Sequence, residues 1–200
     1  MPTGFWGFDF AVCDNHYFKS GGLVKVEYRL TTENLKEKIK NLAAGDRVLL
    51  SGTVYTSRDA AHKRIFELID KGERLPYDID GAVIYYAGPT PTPKGLAIGS
   101  CGPTTSGRMD PYAPKLLDMG LAAMIGKGGR KPAVVDAIVR NKAIYFCAIG
   151  GCGALASKCI TSCEVIAFDD LGCESVKRLI LKDFPLIVGI APDGSSLFKD

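Results

Sequence analysis

Short apolar segments rich in β-branched side chains alternate with segments of helical periodicity along most of this 200-residue chain. Residues 47–57, RVLLSGTVYTS, have the composition of a buried strand. The apolar positions Ala61, Ile65 and Ile69 follow at spacings that place them on one side of a helix. Strands and helices that alternate in this way form a sheet covered by helices. The sequence therefore predicts an α/β fold.

The other segments predict a mixed sheet rather than a regular repeat of strand and helix. Strands are expected in the segments VKVEYRL (24–30), DGAVIYYAG (80–88), LAIGSC (96–101), LAAMIG (121–126), KAIYFC (142–147), CEVIAF (163–168), ESVKRLILKDFP (174–185) and LIVGIAPDG (186–194). Leu35, Ile39 and Leu42 predict a short helix, and Pro132 is expected in the first turn of another. No long internal repeat is visible.

Charge and apolar length argue against two classes of partner. The chain carries 25 Lys and Arg against 22 Asp and Glu, a formal charge of +3. Its basic residues are scattered, unlike those of a nucleic-acid-binding surface. The longest apolar run, residues 143–156, is interrupted by glycines and is shorter than the roughly 20 residues that cross a bilayer. The first residues also lack a secretory signal pattern. We expect no nucleic-acid partner and no membrane partner.

The cysteines predict free thiols rather than a disulfide framework or a metal site. Their number is odd, seven, and five of them lie between positions 147 and 173. They lack the paired C-x-x-C spacing of a zinc site, and the two histidines, His16 and His62, are distant in sequence. We therefore expect buried, reduced thiols in a cytoplasmic protein whose own residues bind no metal.

Arg58 is a candidate anion-binding residue within TSRD (56–59). It is predicted at the second position of the helix, on the same side as Ala61 and Ile65. The helix dipole disfavours a cation there by roughly 0.3–1 kcal/mol. Either an external anion or an internal carboxylate such as Asp59 would compensate, and the residues leave both alternatives open. The same tetrapeptide predicts a capping box in which Thr56 caps the helix.

The segment GPTTSGR (102–108) is the densest polar cluster of the chain. Pro103 fixes φ, the two glycines permit close backbone approach, and three hydroxyl residues precede Arg108. A helix that began near Thr104 would offer free N–H groups and hydroxyls to an anion. Arg108, one turn further on, is suited to a bidentate pair with a carboxylate. A hydroxyl-capped turn without function is the alternative.

Two glycine-rich turns carry weaker signals. Lys127 lies in GKGGR (126–130), which is not a phosphate-binding loop because no Ser or Thr follows the lysine. The segment GCGALA (151–156), with Asp169 and Asp170 further on, fits a dinucleotide fingerprint. Too few residues follow the aspartates to complete a dinucleotide-binding half. Tight packing of strand against helix is the favoured explanation of these glycines.

Five segments taken together resemble the iron–sulfur-dependent class I fumarases and the related L-tartrate dehydratases. They are SGTVYTSRDAAHKRI (51–65), DGAVIYYAGPTP (80–91), GPTTSGRMDPY (102–112), MIGKGGRK (124–131) and FCAIGGCGALASKCI (146–160). The similarity is to the C-terminal domain of these enzymes, or to the separate β subunit where the enzyme is split. It covers about residues 24–198. Residues 1–23 have no counterpart and are assigned as an N-terminal arm, followed by one domain over residues 24–200.

The resemblance implies a swivelling β/β/α domain, with a mixed sheet and flanking helices, that closes over an active site carried mostly by a partner. The implied activity is that of a hydro-lyase, the reversible hydration of fumarate to L-malate. This chain would be its β subunit, inactive without an α subunit that holds a [4Fe-4S] cluster. One iron of that cluster, free of protein ligands, would act as a Lewis acid. A hetero-oligomer follows, with a dimer contact through this chain left open.

The resemblance also assigns substrate contacts to individual residues. Five positions match those that contact the dicarboxylate in the family: Arg58, Thr104, Thr105, Arg108 and Lys127. The arginines would clamp carboxylates, and Lys127 would add positive charge. Thr104 or Thr105 would be the catalytic candidate for proton transfer, although a threonine hydroxyl is a weak base without activation.

Two alternatives to a fumarate hydratase subunit remain. The first is the β subunit of an L-tartrate dehydratase, because fumarate and L-tartrate differ by hydroxyl groups that these motifs need not distinguish. Fumarate is preferred as the commoner substrate of the family. The second is a stand-alone module that binds a small anion or a dinucleotide through residues 151–156.

Overall fold

Residues 27–198, which the computed structural model of the protein describes, form one mixed sheet of seven strands with helices packed against it. The strands are β1 (Glu27–Thr31), β2 (Arg47–Thr56), β3 (Val83–Tyr85), β4 (Ala123–Gly126), β5 (Ile144–Cys147), β6 (Ile160–Ala167) and β7 (Val176–Ile190). The α-helices are α1 (Leu35–Lys38), α2 (Asp59–Lys71), α3 (Ala113–Asp118), α4 (Pro132–Asn141) and α5 (Gly153–Ala156). Short 3-10 helices cover Ile39–Asn41, Ser106–Met109, Ser157–Cys159 and Asp169–Glu174.

The long strand β7 closes the sheet on itself. Strands β1 to β5 lie side by side in chain order and are all parallel. Strand β7 is antiparallel to β5 and β6, and it also pairs with β2 along most of the length of β2. Strands β2, β3, β4, β5 and β7 therefore form a closed ring, and β1 and β6 extend it.

Two apolar clusters divide the molecule into β/β/α layers. Along β3, Val83 and Tyr85 face the cluster enclosed by the ring of strands, whereas Ile84 faces the helices. In β5, Phe146 and Tyr145 divide between the two clusters in the same way. This alternation follows from the two-residue period of a strand. The second cluster is completed by helices α2, α3 and α4. The predicted α/β class with a mixed sheet and flanking helices is confirmed.

Three of the predicted strands differ from the structure. Residues 96–101 form no strand; they end a proline-rich loop that closes on itself, where Thr90 N donates to Ser100 O at 3.0 Å and Ser100 N donates to Thr90 Oγ1 at 2.9 Å. Prolines in that loop cannot donate to a ladder. The segments 174–185 and 186–194 are not two strands, because β7 continues through both and pairs with β2 on each side of Asp183.

The predicted capping box at the start of α2 is wrong. Strand β2 continues through Thr56, so the buried Oγ1 of Thr56 bonds to the backbone beside β7: it accepts from Lys177 N at 3.0 Å and donates to Ser175 O at 3.3 Å. Arg58 is the N-cap residue of α2. A carboxylate oxygen of Glu174 accepts the hydrogen bond of Ala60 N at 3.0 Å and takes over the capping role.

The dinucleotide interpretation of residues 151–156 is also wrong. That fingerprint requires a helix that crosses over to a parallel strand. Here α5 has only four residues, and the next strand, β6, pairs antiparallel with β7. Gly153 instead permits close packing, since a Cβ at this position would lie 2.9 Å from the backbone nitrogen of Gly102.

A buried ion pair joins the segment 102–110 to the turn after β4, which together carry four of the five candidate residues. Arg130 Nε contacts Asp110 Oδ1 at 2.6 Å, and the side chains are 0% and 2% exposed. The second oxygen of Asp110 accepts from Lys131 N at 2.9 Å. The Arg130 guanidinium also lies 5.4 Å and 5.0 Å from the ring centres of Tyr86 and Tyr145. These contacts fix the turn after β4 against the end of the 3-10 helix Ser106–Met109.

We expect Arg130→Met to lower the free energy of unfolding by about 3–5 kcal/mol, because it leaves the Asp110 carboxylate buried without its cation. Urea denaturation at neutral pH measures the loss. Asp118→Asn is the matched control: it breaks the exposed pair between Asp118 and Arg140, whose side chains are 47% and 49% exposed. That change should cost no more than about 1 kcal/mol. Equal losses in the two variants would contradict the assignment.

Candidate functional site

All five candidate residues lie at one edge of the sheet, where the parallel strands end. Arg58 follows β2 by two residues, and Lys127 follows β4 directly. The segment that holds Thr104, Thr105 and Arg108 crosses the ends of β3 and β4. The carboxyl edge of parallel strands is the usual place for ligand binding in α/β sheets.

Backbone hydrogen bonds hold the threonine segment between β3 and β4. Thr104 N donates to Tyr86 O at 2.7 Å, and Ser106 N donates to Lys127 O at 3.0 Å. Thr105 forms a parallel bridge with Lys127. The threonine side chains differ in burial: Thr104 is half-buried and Thr105 is exposed. Thr105 and the backbone of Lys127 are therefore direct neighbours.

The helix expected near Thr104 begins later and is much shorter. It is the four-residue 3-10 helix Ser106–Met109, with Thr105 at its N-cap position. The backbone N–H groups of Thr104 and Ser106, predicted to be free for an anion, already donate to strand ends. The predicted helix N-terminus at Thr104 is therefore not formed.

Ser106 connects this segment to the turn after β4. Its buried Oγ accepts from Lys127 N at 3.0 Å and lies 2.8 Å from the Tyr145 hydroxyl. A Cβ on Gly126 would lie 1.9 Å from that Oγ, so only glycine fits there. Within residues 27–198, the Lys127 ammonium has no ion-pair partner, and it runs past Gly150, whose added Cβ would lie 3.9 Å from Nζ.

The two arginines share a carboxylate. Arg108 Nε contacts Asp59 Oδ1 at 2.9 Å, and Arg58 Nη2 lies 4.0 Å from Asp59 Oδ2. A second carboxylate, Glu174 Oε1, lies closer to Arg58 Nη2, at 3.2 Å. The internal partner left open for Arg58 is thus present, and it is chiefly Glu174. Each guanidinium retains donors, since the contacts of Arg108 use Nε and those of Arg58 use Nη2.

Arg58 reaches this position because Gly88, just beyond β3, has no side chain. A Cβ on Gly88 would lie 2.7 Å from Arg58 Nη1. The Arg58 side chain is 18% exposed and that of Arg108 is 53% exposed. Arg58 is therefore held inside the edge, whereas Arg108 faces solvent.

The buried His62 side chain contacts the backbone of Arg58. Its Nδ1 lies 2.9 Å from both Arg58 O and Ser57 Oγ. The ring is fully buried among aromatic side chains that include Tyr86 and Tyr112. Burial, aided by the positive charge of Arg130, lowers the pKa of His62 from 6.5 to about 4. His62 is therefore neutral at physiological pH and serves the packing of the site.

The described cysteines are all free thiols, as predicted, but not all are buried. Cys101 and Cys159 are buried, whereas Cys173 is exposed. Burial raises the pKa of Cys101 to about 12 and that of Cys147 to about 11. Among residues 27–198, no three His, Cys, Asp or Glu side chains are grouped so that they could hold a metal ion. Nor does that part of the chain contain a helix with the length and hydropathy needed to cross a bilayer.

The sequence reasoning missed Glu174. It follows a stretch of no clear pattern and lies 114 positions from Ala60, the residue whose amide it caps. The sequence predicts Asp59 as a partner of Arg58 but not as the carboxylate that also pairs with Arg108. No local signal in the sequence points to either contact.

The geometry defines an α/β domain that gathers arginine, lysine and threonine side chains at the carboxyl edge of its parallel strands. The chain belongs to the fumarase C-terminus family, whose model matches residues 14–200. The predicted arm, residues 1–23, lies outside the described residues, and the boundary between arm and domain stays a prediction.

Relatives of two lengths share this domain. Fumarate hydratase 2 of Leishmania major is 37% identical over 178 residues, 88% of this chain and 31% of the relative. The anaerobic class I fumarate hydratase of Escherichia coli K12 is 37% identical over 181 residues, 90% and 33% of the two chains. The L(+)-tartrate dehydratase subunit beta of that strain is 34% identical over 176 residues, 86% of each chain. This chain spans about a third of the first two relatives and most of the third.

The pKa of His62 predicts how stability depends on pH. The unfolded chain binds a proton at His62 below pH 6.5, whereas the folded protein does so only below about pH 4. The contribution of neutral His62 to the free energy of unfolding is therefore fully present above pH 6.5. Roughly 3 kcal/mol of it is lost as the pH falls from 6.5 to about 4. Urea denaturation at several pH values should show this loss.

The two histidines of the chain provide matched variants for this measurement. His62→Gln should flatten the profile between pH 6.5 and pH 4, because it removes the buried imidazole. His16→Gln removes the other imidazole and should leave the profile unchanged. If the profile flattens in the His16 variant instead, the assignment of the pH dependence to His62 is wrong.

Proposed function

We propose that this chain is the dicarboxylate-binding β subunit of a hydro-lyase that reversibly hydrates fumarate to L-malate. The observation that carries the proposal is the convergence of Arg58, Arg108, Lys127 and the pair Thr104 and Thr105 at one sheet edge. Membership of a family with relatives named fumarate hydratase supports the same reaction.

The cationic residues act as a carboxylate clamp. Arg108 is exposed, and its two Nη groups have no partner among the described residues, so they can form a bidentate pair with one carboxylate. Arg58 and Lys127 add positive charge at the same edge. When water adds to the double bond, negative charge develops on one carboxylate in the transition state. Fixed cations therefore stabilise the transition state more than the substrate.

The threonines are the candidates for proton transfer at the reacting carbons. Thr105 is exposed and lies beside the Lys127 backbone, and Thr104 is half-buried. A hydroxyl of this kind needs a neighbour that takes up its proton. We propose that Thr104 or Thr105 lines the reacting carbons and that a group outside this domain completes the proton relay.

The site requires a partner. Thr105, Arg108 and Lys127 are exposed at the edge, so one side of the bound dicarboxylate would face away from this domain. The described residues do not fit as ligands of a [4Fe-4S] cluster, because no group of three suitable side chains exists among them. We assign the cluster to an α subunit in a hetero-oligomer. A swivelling closure of this domain would then exclude bulk water, and the free thiols fit a cytoplasmic protein.

An L-tartrate dehydratase β subunit is the second candidate. It is supported by the tartrate dehydratase subunit beta of E. coli, which is 34% identical to this chain over 176 residues. The clamp fits both dicarboxylates, and an assay with each substrate separates the two candidates.

The test is an anaerobic assay of the full chain in complex with its cluster-bearing partner, with fumarate and with L-tartrate. We expect Arg108→Ala to lower kcat/KM by about 10- to 100-fold, because it removes a charged hydrogen bond worth roughly 1.5–3 kcal/mol. Arg64→Ala is the control, since Arg64 lies on α2 and pairs with the exposed Asp170. No turnover of either substrate, or unchanged turnover in the Arg108 variant, would overturn the proposal.

A further inference from the structure

Glu174 lies where the 3-10 helix Asp169–Glu174 ends, just before β7, and its two oxygens have different partners. Oε1 lies 3.2 Å from Arg58 Nη2, and Oε2 accepts from Ala60 N at 3.0 Å. One carboxylate thus connects a candidate substrate-binding cation to the first turn of α2. We propose that Glu174 is a positioning residue that fixes the Arg58 guanidinium for the substrate carboxylate, an inference that rests on the proposed function.

Arg58 is confined from two sides. Gly88 lies against Nη1, where an added Cβ would come within 2.7 Å, and Glu174 contacts Nη2. Asp59 is the other nearby carboxylate, but its Oδ2 lies 4.0 Å from Nη2, beyond hydrogen-bond distance. Among residues 27–198, Glu174 is therefore the carboxylate that determines the direction of this guanidinium.

The backbone that flanks Glu174 is fixed by a buried lysine. Lys177 is 7% exposed, and its ammonium donates to Gly172 O at 2.9 Å and to Ser175 O at 3.3 Å. Ser175 Oγ also bonds back to Gly172 O at 2.8 Å. These bonds fix the backbone on both sides of Glu174, so its carboxylate is held beside the Arg58 guanidinium by the protein's own contacts.

The charges favour orientation over attraction as the role of Glu174. Arg58, Arg108 and Lys127 supply three positive charges, and Asp59 and Glu174 cancel two of them. A site that depended on charge alone would be weakened by these carboxylates. An ordered guanidinium binds the substrate more tightly, because less side-chain entropy is lost on binding.

The variant Glu174→Gln separates the two contacts. The amide oxygen can still accept from Ala60 N, but the side chain no longer carries the charge that pairs with Arg58. In the complex with the cluster-bearing partner, we expect KM for the dicarboxylate to rise about 3- to 10-fold, with kcat changed less than about twofold. Glu164→Gln is the matched control, because it neutralises an exposed carboxylate on β6 that pairs with Arg178 on β7. It should leave both constants unchanged. An unchanged KM, or a lower one, would overturn the proposal.

A second measurement needs no partner and no activity. In the full chain alone, the Nε–Hε signal of Arg58, assigned by its loss in Arg58→Lys, should report an ordered side chain by ¹⁵N relaxation. Glu174→Gln should increase its fast motion, and Glu164→Gln should not. If this change appears but the complex turns over neither substrate, the positioning role stands and the proposed function fails. If Arg58 is equally ordered in both variants, the positioning role fails whatever the activity.

Discussion

The buried ion pair between Asp110 and Arg130 is the interaction on which the candidate site depends. It joins the loop that carries Thr104, Thr105 and Arg108 to the turn that carries Lys127, and backbone bonds between the two loops continue the connection. Desolvating two charges is costly, and here the cost is offset by the Lys131 amide and by two tyrosine rings. The pair thus determines which residues of two distant segments become neighbours.

The candidate residues at the sheet edge are held in position, but several of their hydrogen-bond donors have no partner among the described residues. Two arginines are ordered by Asp59 and Glu174, yet donors on both remain available, and the Lys127 ammonium has no partner among the described residues. In the longer fumarate hydratases about two thirds of the sequence lies beyond the region that this chain matches, and in the tartrate dehydratase subunit a much smaller part does. The open cationic edge supports the proposal that groups outside this domain complete the site.

The sequence predicted what depends on local pattern. Periodicity identified β2, α2, α4 and most of the parallel strands, and the segments around Arg58 and Arg108 carried the family resemblance that the comparisons confirm. It could not predict contacts between distant residues. The capping box was wrong because Thr56 remains in β2, and Glu174 was missed because its partner in α2 is 114 positions away. Whether the five candidate residues bind substrate stays a prediction.

Closure of the ring by β7 has a consequence for the order in which the protein can assemble. Strand β7 is the last strand of the described chain, yet it pairs with β2 and β5 and is preceded directly by the carboxylate that orders Arg58. During translation, β2 would expose an unsatisfied edge until the final strand has left the ribosome. Such long-range pairing slows folding and leaves a nascent chain open to aggregation. The ring can therefore close only after residues 176–190 have been synthesised.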